Sequence, residues 1–143
     1  MTDIDVDSNF PLSQITEAKQ VFQSQQQNFT PYLEFAYCST LIHSPLKQDQ
    51  LDSYSRLKIL LETYVPESDV YFQLAKVCIR LQEYKEAKKY CLLLQKTHPE
   101  QSNKLLSIVN DRVQKDGLMG MMLVAGVGAA VVSGLAFFKA LKK

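Results

Sequence analysis

Ser68 to Gln101 reads SDVYFQLAKVCIRLQEYKEAKKYCLLLQKTHPEQ, and these residues decide the fold. Tyr71, Leu74, Ala75 and Cys78 recur at spacings of three and four, as do Tyr84, Ala87, Cys91 and Leu94. Such spacing lines one face of a helix, so helices are predicted over 70–81 and 85–97. Only Gln82-Glu83-Tyr84 joins them, a link short enough to fold the second helix back on the first. Ala75 and Ala87 stand where the two helices would cross closely, and Tyr84 and the larger side chains fill the space around that crossing. Pro99 ends the unit.

The order large, Leu, small, apolar, then Tyr, small, Cys, Leu and a closing Pro over 34 residues matches the tetratricopeptide repeat. Three positions depart from it. The first large position lacks Trp, Gln82 stands where the turn usually has Gly, and Leu94 replaces the usual Ala. A weaker copy lies upstream, with Phe35-Ala36 as its Leu–small pair and the Leu57 to Tyr64 part of the stripe Leu51, Tyr54, Leu57, Leu61, Tyr64 as its second helix. Ala36 and Leu57 are 21 positions apart, so an insertion over Ser44–Asp52 is expected.

Further outward, Pro11 precedes the stripe Leu12, Ile15, Ala18, Phe22. Thr30-Pro31 reads as an N-cap with an N1 proline, and Leu105, Ile108, Val109 and Val113 mark a last helix. Residues 1–116 contain no Gly, and each Pro there falls at a helix boundary. The fold class is all-α: a six-helix tetratricopeptide-like bundle at 12–116, two repeats with a capping helix at each end, behind a flexible N-terminal arm at 1–11.

The C-terminal part is different material. From Gly117 to Phe138 run 22 residues without a charge, and all five glycines fall there. As a helix they would reach about 33 Å, enough for a hydrocarbon core of about 30 Å. The segment at 117–138 is read as one transmembrane tail anchor followed by a short basic tail at 139–143, with 1–116 left in the cytosol. Moderate hydrophobicity and a lysine tail suit the mitochondrial outer membrane. Gly126, Ala130 and Gly134 put small residues on one helix face, which permits close helix–helix approach and a homo-oligomer, or only tunes hydrophobicity.

The net charge of +1 gives no electrostatic basis for nucleic-acid binding. Cys38, Cys78 and Cys91 sit on inward faces without CxxC spacing, and read as buried thiols. His43 and His98 lie at helix ends in surface or capping positions, without metal-ligand spacing. No phosphate-cradling loop, HExxH or GxSxG occurs. Neither an enzyme nor a cofactor or metal site is expected.

Leu81-Gln82-Glu83-Tyr84-Lys85-Glu86-Ala87-Lys88-Lys89-Tyr90 and Lys115-Asp116-Gly117-Leu118-Met119-Gly120-Met121, with Leu60-Leu61-Glu62 and Glu34-Phe35-Ala36-Tyr37-Cys38, resemble the mitochondrial fission 1 adaptor family. The resemblance covers most of 12–143. It implies an adaptor on the mitochondrial outer membrane, often also on peroxisomes, that recruits a dynamin-related GTPase directly or through a scaffold protein.

Repeat geometry puts Phe72, Lys76, Ile79 and Arg80 of the better repeat, and Leu33, Tyr37 and Thr40 of the weaker one, on a concave partner-binding groove. An apolar floor with two cations suits an amphipathic helix with acidic flanks; the other reading of Phe72 and Ile79 is plain core. Ile4, Val6 and Phe10, interleaved with Asp3, Asp5 and Asp7, have the complementary character, which suggests an autoinhibitory arm. The alternative function is a tail-anchored receptor for mitochondrial precursor proteins or chaperones. A groove for basic presequences should be acidic, and Lys76 and Arg80 count against it.

Overall fold

The computed structural model describes residues 4–28 and 30–116. The expected membrane span at 117–138, its small-residue face Gly126, Ala130, Gly134, and the basic tail lie outside the described residues. No helix within them is long and apolar enough to cross a membrane.

Six helices follow in order: α1 Leu12–Ser24, α2 Pro31–Leu41, α3 Lys47–Leu60, α4 Glu67–Arg80, α5 Tyr84–Gln95 and α6 Pro99–Lys115. Each packs on its neighbours in sequence, and α4 also touches α6. The pairs α2/α3 and α4/α5 are the two helical hairpins, with α1 and α6 covering the ends. Thr30 Oγ1 accepts the Leu33 N–H at 3.2 Å, and Pro31 opens α2. At the crossing of α4 and α5, Leu74, Ala75, Cys78, Ala87, Cys91 and Leu94 are fully buried. Two hydroxyls stitch neighbouring helices: Ser53 Oγ donates to the Cys38 carbonyl at 3.0 Å, and Ser102 Oγ to the Cys91 carbonyl at 2.7 Å. Burial pushes the Cys38 thiol up to about 12 and the Cys91 thiol up to about 11, which keeps both protonated at neutral pH.

The turn between α4 and α5 explains why Gln82 stands out. Its N–H reaches the Ile79 carbonyl at 3.0 Å while the Glu83 N–H reaches Cys78 at 2.8 Å. This pair of bonds closes a helix through a left-handed residue, and Gln82 has φ 63°. A side chain with Cβ is costly there. Gln82→Gly is therefore expected to stabilise the domain by about 1 kcal/mol, read as a rise in urea midpoint without change in slope.

Glu83 follows immediately, half-buried. Burial, with Glu86 adding to it and Lys47 opposing, raises its carboxyl to about 7 from 4.5. A raised folded value means that the folded chain holds the proton more tightly between these two limits. The stabilisation is complete below about 4.5 and is lost as pH rises through about 7. Solvent on one side screens part of the effect, so Glu83→Gln should gain about 1 kcal/mol on the parent between pH 5 and pH 8. Melting curves at the two pH values check this; a gap that is constant with pH would count against it.

Next to it, Tyr84 is buried, and its hydroxyl donates to Asp116 Oδ2 at 2.6 Å. The start of α5 is thereby tied to the end of α6.

Three local expectations need correction. The 44–52 insertion is mostly helix: α3 begins at Lys47, leaving 42–46 as the link where α4/α5 has 81–83. Ser44 permits this early start. Its Oγ donates to Asp49 Oδ2 at 2.6 Å and accepts the Leu46 N–H at 3.1 Å, and its carbonyl accepts Gln50 Nε2 at 2.8 Å. At the other end, α3 stops at Leu60 and Tyr64 is exposed. Thr63 Oγ1 donates to the Leu60 carbonyl at 2.6 Å, so Thr63 turns the chain before the stripe is complete. Finally, residues 4–11 do not form a free arm, as described next.

Candidate partner-binding groove

The arm is seated by its own alternation. In an extended segment Val6 points opposite to Asp5 and Asp7, and Val6 is only 3% exposed within the main apolar cluster. Ile4 packs against the same cluster. Asp5 Oδ1 accepts the Ser8 N–H at 3.1 Å, which bends the chain. Asp7 grips Arg112 of α6 with both carboxylate oxygens at 2.6 Å. Both oxygens meet the same nitrogen, Nη2, in a short charge-assisted contact.

Arg80, at the last turn of α4, holds the middle of the arm. Its Nη1 donates to the Val6 carbonyl at 2.9 Å and to the Ser8 carbonyl at 3.3 Å. Its Nη2 donates to Asn9 Oδ1 at 2.6 Å and to the Ser44 carbonyl at 3.1 Å.

His43 holds the far end. A carbonyl can only accept, so the 2.7 Å contact with Ser8 O makes Nδ1–H the donor. The His43 carbonyl takes the Phe10 N–H at 2.8 Å, and the two rings stack at 4.7 Å. Burial holds the imidazole below its usual value, with Lys76 and Arg80 adding to that and the Ser8 carbonyl opposing it. Burial likewise lowers Lys76, whose ammonium lies 5.5 Å from the Phe72 ring centre. The seat is thus a cationic surface with an apolar floor, filled by an acidic strand with one apolar anchor. Beside it, between the arm and α6, an open cavity of about 550 Å³ is lined by Lys104, Ile108, Arg112 and Lys115.

The predicted groove residues divide between two places. Phe72, Lys76 and Arg80 lie on α4 at or near the arm. Ile79 is fully buried, so it belongs to the core and lines no open surface. Leu33, Tyr37 and Thr40 line a separate cleft of about 330 Å³ between α1 and α2, with Ala18, Val21 and Phe22 opposite. The Tyr37 ring stacks on Phe22 at 4.1 Å, which turns that face of α2 toward the capping helix. Of the predicted arm residues, Val6 and Phe10 make contacts of their own and Ile4 packs at the margin.

His43 corrects the surface or capping reading: it is 5% exposed. Arg112 and Asn9 were not legible as site residues, and Asp7 was legible only as part of an acidic arm, without its partner. The arm's acidic–apolar alternation signals a docking strand but names no acceptor. Asp7 and Arg112 are 105 positions apart with no pattern linking them.

Similarity to known proteins now bears on this geometry. The model of the Fis1 C-terminal tetratricopeptide repeat matches residues 68–118, the better hairpin and α6. The mitochondrial fission 1 protein of Yarrowia lipolytica is 30% identical across 90% of this chain and 88% of its own length. That of Mus musculus is 34% identical over 80% and 79%. The chain belongs to the mitochondrial fission 1 protein family. Solved structures agree: yeast Fis1 in complex with an Mdv1 fragment containing the N-terminal extension and coiled coil is 25% identical, with TM-score 0.70, over 80% of this chain and 93% of that one. Fis1 of Saccharomyces cerevisiae alone gives 0.69, also at 25% identity, over 78% and 90%. Family membership makes the all-helical adaptor fold and the link to mitochondrial fission properties of this chain.

Proposed function

We propose that this member of the mitochondrial fission 1 family is anchored in the mitochondrial outer membrane by 117–138. There it recruits a dynamin-related GTPase through a scaffold protein. The yeast relative crystallises with an Mdv1 fragment, which makes a scaffold the first partner to seek and direct GTPase contact the second. The observation that carries the reading is the occupied seat: Arg80 and Arg112 hold an acidic arm over an apolar floor. A surface already closed by a tethered strand is suited to exchange, in which a partner displaces the arm. Cations at Lys76, Arg80 and Arg112 oppose the rival receptor for basic presequences.

Full-length chain in liposomes, with and without residues 1–10, tests this against purified scaffold, GTPase and a basic presequence peptide. Stronger scaffold capture after removal of the arm, with the GTPase following only when scaffold is present, is the expected result. Unchanged scaffold capture removes the gating role, and preferential capture of the presequence moves the assignment to the receptor. Tagged chain on peroxisomes as well as mitochondria tests the wider fission role by microscopy.

A further inference from the structure

His43 meets the arm at three points. Its Nδ1–H donates to the Ser8 carbonyl at 2.7 Å, its own carbonyl takes the Phe10 N–H at 2.8 Å, and its ring stacks on Phe10 at 4.7 Å. One ring nitrogen is thereby spent. Among the described residues no hydrogen bond reaches the other, Nε2. In the neutral ring Nε2 carries no proton. In the imidazolium it is a second N–H donor, and at 5% exposure beneath the arm no protein acceptor is at hand for it.

The charges around the ring also oppose a proton. Lys76 and Arg80 face it from α4, and Asp5 faces it from the arm. None of the ion pairs among the described residues involves Lys76 or Arg80, so neither charge is neutralised at contact. Asp5 is engaged by the Ser8 N–H, and its bonds with Ser8 hold its carboxyl below the usual range, so it stays ionised near neutral pH. The other nearby carboxylates are taken: Glu34 of α2 by Arg56, Asp49 of α3 by Ser44 and Lys19, and Asp7 by Arg112. Lys47, at the start of α3, faces Glu83. A proton on His43 makes a third cation beside two others, under a ring that keeps water away.

We propose that His43 makes the arm a pH-sensitive latch, docked while the imidazole is neutral and released when its second nitrogen takes a proton. Undocking lets water reach both ring nitrogens, so the undocked chain binds that proton more tightly. Burial, with Lys76 and Arg80 adding to it, holds the docked imidazole below its ordinary 6.5. Docking is therefore at full strength above about 6.5 and weakens as pH falls through that value toward the docked one. Glu83 titrates in a neighbouring range with the opposite sign, since its protonation favours the folded domain. The readout must accordingly be the arm itself. The latch is a property of the free chain, so it is judged without any partner and apart from the adaptor reading.

The test uses full-length chain in detergent and follows hydrogen exchange of the Phe10 amide, divided at each pH by its intrinsic rate. From about pH 7.5 to about pH 5.5 the protection should fall roughly three- to tenfold, ten being the ceiling set by an undocked value near 6.5. His43→Gln keeps a donor for the Ser8 carbonyl but cannot take the proton, and its protection should be flat over the same range. Constant protection in the parent, or an equal fall in His43→Gln, would overturn the proposal. The second measurement is the titration of the His43 ring by NMR, in the parent and in Val6→Asp, where the arm is released. The midpoint should be higher in Val6→Asp; equal midpoints, or a lower one, would overturn the latch. If His43→Gln leaves the arm undocked at every pH, this comparison of midpoints decides.

Discussion

Val6→Asp is expected to open the arm. Val6 is 3% exposed and supplies the arm's buried anchor. Burial of a valine side chain contributes about 1.5–3 kcal/mol, and a carboxylate cannot enter the apolar cluster without a partner. Loss of the anchor alone lowers the docked-to-undocked ratio by roughly ten- to a hundredfold. Hydrogen exchange at Phe10, whose amide bonds the His43 carbonyl, should accelerate by that factor. Protection that stays at the parental level would show that the polar contacts hold the arm without Val6. Asp7→Asn should do much less, because Asp7 is largely exposed in its pair with Arg112. Exposed ion pairs contribute about 1 kcal/mol or less.

Leu74→Ala should have the largest effect on the fold itself. Leu74 lies fully buried on α4, and α4 packs against α3, α5 and α6. Removing three buried carbons leaves a cavity that rigid helices close only in part, costing about 3–4 kcal/mol. For a domain near 100 residues that lowers the melting temperature by roughly 12–32 °C. Ile59→Ala provides the contrast: Ile59 is 64% exposed, and the change should stay within about 0.5 kcal/mol. Similar losses for both variants in thermal denaturation would refute this account of the core.

These two predictions show where sequence reading succeeds and where it stops. Leu74, Ala75, Ala87 and Leu94 were legible as core because helical spacing and a short link determine which faces meet. Gln82 was legible as a misfit in its turn, and its positive φ is the physical form of that misfit. The start of α3 was not legible, since a Ser44–Asp49 side-chain bond outweighs the interruption at Pro45. His43 was missed because its partners, Ser8 and Phe10, lie more than 30 positions away in an arm without periodic signal. The division of Leu33, Tyr37 and Thr40 from the α4 residues follows from the packing of α1 on α2, where Phe22 stacks on Tyr37 and Arg56 lies over both rings. Periodicity describes faces of helices; it does not say which cap will claim a face.

The latch between Asp7 and Arg112 also has a consequence in time. A ribosome adding about 5–20 residues per second makes the acidic half roughly 5–20 seconds before the basic half. Throughout that interval α6 is still incomplete, and the Asp7 carboxylate has no Arg112 guanidinium to meet. The Asp7–Arg112 pair can form only once α6 has been made, so an arm held at both places marks a polypeptide in which α6 is already present.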